Sequence, residues 1–453
     1  MLFPVHSHAA VPLAMNRQAI AQIQRLQYQA ASLLIYQHTL QGRLSRYFLE
    51  LLAALLQANV DPLACLQAYG RWFQALADKN CSWQTYLLRQ IARADNPFAR
   101  QVQQREPAAL PPALITAVQE DLRRLQALYQ CTNQQLSQWV QDACNLPDPP
   151  TAWDEYLPEA EARLTAAEQR LHEKFQRLDD WSEACSELAA YYREWGAGLF
   201  AEYRALRWRS GDWVGILNPD PIRWTSLVGY EFQRETLLKN TEALLAGYPA
   251  LNVLLYGSRG TGKSSLVKSL LSEYGDRGLR LIEVSKADLQ DLPAIVERVR
   301  PLAQKFVIFV DDLSFEEEED QFKALKVVLE GSMTARPQNV VVYATSNRRH
   351  LIREFFGDRP RPSNADEISS WDTFQEKLSF SDRFGLTLTF EAPDQTTYLA
   401  MVRHLAAQAD LSLPLAELEY RALQWATRHN GRSGRSARQF IDFLVADLAL
   451  AQP

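Results

Sequence analysis

Several things are scarce in this 453-residue sequence, and each shortage excludes a class of protein. There are five cysteines (Cys65, Cys81, Cys131, Cys144 and Cys185), with no C-x-x-C pair and no metal-ligand spacing. That count and spacing argue against a zinc site or a secreted disulfide framework, and fit reduced thiols in a cytoplasmic protein. Long apolar runs are also missing. The nearest, "FLELLAALLQA" (Phe48 to Ala58), falls short of the roughly 18 residues needed to cross a bilayer. The N-terminus has no cationic start followed by an apolar block, so no signal peptide is expected. Positive charge is short as well: the net charge is -6, and only Lys79 and Lys174 supply lysine before Ser210. Such a chain has no global attraction to polyanions, so binding nucleic acid would need a local patch.

What is present is a folded composition, 47% hydrophobic and 23% charged, on a chain too long for one ordinary core. Residues 1–210 are rich in Gln, Ala, Leu and Trp, with apolar positions at helical spacing in "LSRYFLELLAALLQA" and "EARLTAAEQRLHEKFQRLDDWSEACSELAAYYREW". "REPAALPPALITAV" and "NLPDPPTAWDEYLP" are proline-marked breaks. This region reads as an all-helical N-terminal domain that docks a partner. Residues 211–226, containing "WVGILNPDPIRW", read as a linker. From there "NVLLYG", "LRLIEVS", "FVIFVDD", "NVVVYATSN" and "GLTLTF" alternate with helix-length segments, which predicts an α/β core with a parallel sheet over 227–392. Three helical segments over 393–453 form a small C-terminal lid.

"GSRGTGKS" (Gly257, Ser258, Arg259, Gly260, Thr261, Gly262, Lys263, Ser264) follows one of these strands and precedes the helix "SLVKSLLSEYG", which begins at Ser265. The spacing is that of a phosphate-binding P-loop. Glycines allow the tight turn that aims backbone N–H groups at phosphate oxygens, and the helix N-terminus adds partial positive charge. Lys263 reaches the β- and γ-phosphates, and the Ser264 hydroxyl ligates Mg²⁺. ATP and Mg²⁺ are the expected cofactors.

"FVIFVDDLSFEEEED" then supplies a strand that ends in carboxylates. Asp311 suits the role of holding Mg²⁺. Two acids compete to activate the attacking water, Asp312 and Glu316; most enzymes of this design carry a longer glutamate at the position of Asp312. The block from Glu316 to Asp320 reads as a solvated helix start. Asn347, at the tip of "VVVYATSN", is placed to hold the attacking water or touch the γ-phosphate. Arg383, in "KLSFSDRFGLTLTF", precedes the last strand and reads as an arginine finger offered to a neighbouring copy, with a salt bridge to Asp382 as the plainer alternative.

These elements, in this order, resemble an AAA+ ATPase from Leu227 to Leu450. The resemblance implies that Val228 and Gly229, in "LVGYEFQRETL", face the nucleotide. It also implies that "HNGRSGRSARQFIDFL" is a sensor 2 motif with Arg435 as its arginine and Arg438 as second choice. More narrowly, "DDLSFE" with "EKLSFSDRFGL" is similar to a bacterial AAA+ group catalogued as domain of unknown function 815, in which a double aspartate is usual. The likeness implies a homo-oligomer, a ring such as a hexamer, that hydrolyses ATP to remodel a protein client. The alternatives are a DNA-associated loader or motor, using the basic stretch "NRRHLIREFFGDRPRPS" (Asn347 to Ser363), or an ATP-gated switch that does not hydrolyse.

Overall fold

The computed structural model describes residues 15–58, 61–153, 164–313, 320–330, 337–347, 383–429 and 431–451. The chain divides into two compact units, Met1–Ala201 and Glu202–Pro453. Among the described residues no helix is long and apolar enough to cross a membrane, and no cysteine is in a disulfide.

The first unit is helical, as its periodicity predicts: α1 (Arg17–Ala31), α2 (Arg43–Gln57), α3 (Pro62–Lys79), α4 (Trp83–Ala92), α5 (Pro97–Val102), α6 (Pro112–Tyr129), α7 (Asn133–Cys144), α8 (Ala166–Arg177) and α9 (Cys185–Trp195), with the single turn α10 (Leu199–Glu202) at its boundary. Helix starts coincide with residues that cap them. Asp61, Ser82, Asn96 and Thr132 each accept a first-turn N–H, and Thr165 with Glu168 forms a reciprocal capping box. Asn80 and Asn145 end α3 and α7 in left-handed geometry. Aromatic rings fill the core: Phe48 stacks on Trp83 at 4.3 Å, and the buried indoles of Trp83 and Trp181 donate to the carbonyls of Leu128 and Phe175.

The second unit holds a seven-stranded sheet in the order β2-β1-β4-β5-β6-β3-β7. Its strands are β1 (Ala205–Arg209), β2 (Asp212–Ile216), β3 (Val253–Gly257), β4 (Leu279–Val284), β5 (Lys305–Val310), β6 (Val340–Ser346) and β7 (Leu386–Phe390). All pairings are parallel except β1 with β2. β6 is buried throughout and β5 nearly so, as central parallel strands with covered faces must be. The connecting helices are α11 (Glu231–Leu245), α12 (Lys263–Tyr274), α13 (Leu292–Val299) and α14 (Asp320–Glu330). The lid is α15 (Gln395–Gln408), α16 (Leu415–Arg428) and α17 (Gly434–Ala451), around its own core of Tyr398, Val402, Ala422 and Phe440. The fold is therefore α/β, a mostly parallel sheet with connecting helices and a three-helix C-terminal bundle, preceded in the chain by a helical region.

The start of this unit corrects the sequence reading, which ran the helical domain to residue 210 and took 211–226 as a linker. Residues 205–209 and 212–216 are instead strands of the sheet. The hairpin turns on Ser210 and Gly211, both with positive φ (52° and 86°), the geometry of a two-residue primed turn. "ALRWR" alternates buried and exposed positions only from Leu206 to Arg209, too short a run to stand out beside the longer helical period upstream.

Candidate nucleotide site

The sheet order puts three strand tips side by side. β3 pairs with β6 and β6 with β5, so the loop after β3 lies beside the polar ends of β5 and β6. A cavity of about 1000 Å³ opens there, large for a small-molecule site. Val228, Gly229, Arg259, Gly260, Thr261, Gly262, Lys263, Ser264, Ser265, Asp311, Asp312, Asn347 and Arg435 all line it, and so does Arg438.

The loop's shape comes from its glycines. Gly260 and Gly262 have φ of 75° and 89°, in the left-handed region. Gly257 is constrained further: a Cβ there would sit 1.9 Å from the carbonyl oxygen of Phe390 on β7. The Ser258 N–H donates to that oxygen at 2.9 Å.

Lys263 opens α12 and is buried. Its Nζ donates to the carbonyls of Gly257 (2.9 Å) and Ser258 (2.7 Å) and to Oδ1 of Asn347 (3.3 Å). Burial pushes its pKa below the ordinary lysine value, while the carboxylates of Asp312 and Asp311 pull it back up. Ser264 Oγ donates to Oδ1 of Asp311 at 2.6 Å, and Asn347 Nδ2 donates to Oδ1 of Asp312 at 2.6 Å. A hydroxyl and a carboxylate side by side are the hard oxygen donors that Mg²⁺ takes, with water and phosphate completing its shell, so this pair fits that ion.

The lid meets the loop main chain to main chain, with the Arg435 N–H donating to the Gly260 carbonyl at 3.2 Å. Ser433 and Ser436 cap the start of α17 reciprocally. Val228 packs against the lid core, and Gly229 (φ 83°) leaves room for Thr397 of α15, whose methyl would lie 3.0 Å from a Cβ.

Of the predicted site residues, Gly257 and Ser258 do not line the cavity but accept bonds from Lys263, which does, and Arg383 is held apart from it. Leu386 pairs with Val253 and Phe390 with Gly257, so Arg383 precedes β7 at the end of the sheet away from the phosphate loop. The four steps of β7 alone separate them by roughly 13 Å. Glu316, Asp382 and the basic stretch 348–363 lie outside the described residues.

The sequence reading missed three contributors. Thr345, nearly fully buried at the end of β6, bonds to the aspartate pair. Arg234 lies over the Trp224 ring at 4.9 Å and donates to the Leu227 carbonyl. Tyr230 bonds to the Glu391 carbonyl, and burial beside Glu391 lifts its pKa to about 12. Only Thr345 carried a signal, a hydroxyl in the polar tail of an otherwise apolar strand.

No curated protein sequence matches the chain. Among solved structures, a point mutant of RuvB from Thermotoga maritima aligns at 16% identity over 51% of this chain and 68% of that one, with a TM-score of 0.37. The FIGL-1 AAA domain in complex with ADP aligns at 20% identity over 52% and 76%, with a TM-score of 0.35. The family model described as "Protein of unknown function (DUF815)" matches residues 201–448, more than half of the sequence, and the chain belongs to that family.

Proposed function

We propose that this chain binds ATP with Mg²⁺ and hydrolyses it within a homo-oligomer, a hexameric ring, to remodel a protein client in the cytoplasm. The observation that carries the reading is one bonded cluster: Lys263, Ser264, Asp311, Asp312 and Asn347, joined through Thr345, meet at three adjacent strand tips, under an arginine of the lid.

Backbone N–H groups of the glycine loop and the start of α12 receive the phosphates. Lys263, which now donates to its own loop's carbonyls, turns those donors to the β- and γ-phosphate oxygens. Ser264 and Asp311 would hold Mg²⁺, which would supply positive charge to offset that of the phosphates. Asn347 orients the attacking water, and Asp312 accepts its proton as the water oxygen bonds to the γ-phosphorus and the bridging oxygen leaves with ADP. Arg435 follows the lid onto the phosphates. Arg383, out of reach of its own cavity, completes the site of the adjacent copy. The negative net charge favours a protein client over DNA.

Turnover of the purified oligomer tests this. Lys263→Ala should abolish ATP binding. Asp312→Asn should bind ATP within about threefold of wild type but turn over at least about 100-fold more slowly. Tight binding with no turnover in the wild type would leave the non-hydrolysing switch. An Asp312→Asn trap that retains DNA, not protein, would reverse the client.

A further inference from the structure

Consecutive residues of a strand point to opposite faces. Two adjacent aspartates at the tip of β5 would therefore send one carboxylate into the cavity and the other away from it. Both line the cavity here. The backbone accounts for this: Asp312 has φ of 52°, a left-handed turn that short polar residues such as Asp tolerate and longer side chains resist.

A single residue bonds to every link of that turn. Val310 pairs with Ala344, which sets Asp311 beside Thr345. The Thr345 hydroxyl donates to Oδ1 of Asp311 at 2.6 Å and accepts the Asp312 N–H at 2.9 Å. Its carbonyl accepts the Leu313 N–H at 2.7 Å. Thr345 is 2% exposed, so water does not replace these bonds. Ser264 Oγ also donates to Oδ1 of Asp311, but that hydroxyl is the one a metal ion would claim. With Ser264 so engaged, Thr345 is the hydroxyl left holding Asp311.

We propose that Thr345 is a positioning residue: its hydroxyl pins the left-handed turn at Asp312, so that Asp311 and Asp312 face the phosphate site together. The turn also accounts for an aspartate where a glutamate is usual, because the kinked backbone carries the shorter side chain forward. This rests on the nucleotide reading above, and two independent readouts separate its failure from the failure of that reading.

The first readout is the Mg²⁺ concentration that half-saturates binding of a fluorescent ATP analogue, measured beside affinity in EDTA. Thr345→Val removes the hydroxyl and keeps the shape. It should raise the half-saturating Mg²⁺ about tenfold while EDTA affinity stays within about twofold, and Thr345→Ser should restore the wild-type value. The second readout is turnover. Thr345→Val should lower kcat about 100-fold with KM for ATP within about threefold, and Asp312→Glu should fall at least about tenfold below wild type despite its longer reach. Thermal melts confirm folding, and Thr345→Ala serves if the valine variant does not fold.

Unchanged Mg²⁺ dependence in Thr345→Val would overturn the proposal, and so would a serine variant as damaged as the valine, since packing would then explain the loss. A wild type that binds with the expected Mg²⁺ shift but does not turn over would sink hydrolysis and leave the positioning role standing. Faster turnover in Asp312→Glu would overturn the role of the turn.

Discussion

Two carboxylate centres, one in each compact unit, show opposite uses of the same group. In the helical unit Asp121 is fully buried; its oxygens accept the N–H groups of Leu34, Ile35 and Tyr36 and a guanidinium N–H of Arg124. Every donor is main chain or a fixed cation, so the carboxylate ties the start of a short helical turn to α6 and is spent on folding. Asp311 and Asp312, in the sheet unit, are exposed to a cavity; Ser264 and Asn347 bond to them through a hydroxyl and an amide that can be exchanged for a ligand, while the buried Thr345 hydroxyl stays in place. The lesson is that the identity of the donors, more than burial alone, separates a structural acid from a working one.

That contrast breaks first at Arg383. Arg383→Ala should reduce turnover by about 10³-fold with ATP affinity retained, as loss of an arginine finger does. Mixing it with Asp312→Asn, each inactive alone, should restore part of the activity if the finger acts across copies; an inactive mixture would reject the finger, since Arg383 cannot reach its own cavity. Asp121→Ala comes next. It leaves three N–H groups without their acceptor and Arg124 with Glu120 as its remaining carboxylate, and should cost about 3 kcal/mol in a denaturant titration. ATP affinity of the folded protein should not move, and a loss of affinity would blur the division of labour.

The smallest effect is a pH dependence at Lys263. Burial lowers its pKa, so the folded protein holds this proton less tightly than the unfolded chain does. Its contribution to stability therefore grows as pH rises from the lowered pKa toward the ordinary value of 10.5. Phosphate binding needs the ammonium, so ATP affinity should run the other way and weaken as pH rises toward the ordinary lysine value of 10.5. Calorimetric titration at several pH values checks the sign.

How much was legible beforehand depends on the range over which each signal acts. The phosphate loop could be read from sequence because its spacing is its chemistry: glycines, lysine and serine act within eight consecutive residues. The five apolar strands "NVLLYG" through "GLTLTF" were legible for a similar reason, since buried parallel strands are continuous apolar runs. Thr345 was not, because its meaning lies in the register that sets β6 against β5. The left-handed turn at Asp312 was hidden too, since nothing local in "VDDL" distinguishes it from an extended strand end. The β1–β2 hairpin was missed because two five-residue strands carry a weaker pattern than the helices before them, although "SG" between alternating residues was its turn signal.

The hairpin has a practical consequence for anyone dividing this protein. β1 covers the flank of β4, whose residues Leu279 to Val284 are almost wholly buried. A fragment begun at residue 211 or 227 would strip that cover and leave a flat, apolar edge with its hydrogen-bonding groups open to another chain. Such a piece would be expected to precipitate, whereas one begun a few residues before Ala205 keeps the sheet's own guard rail.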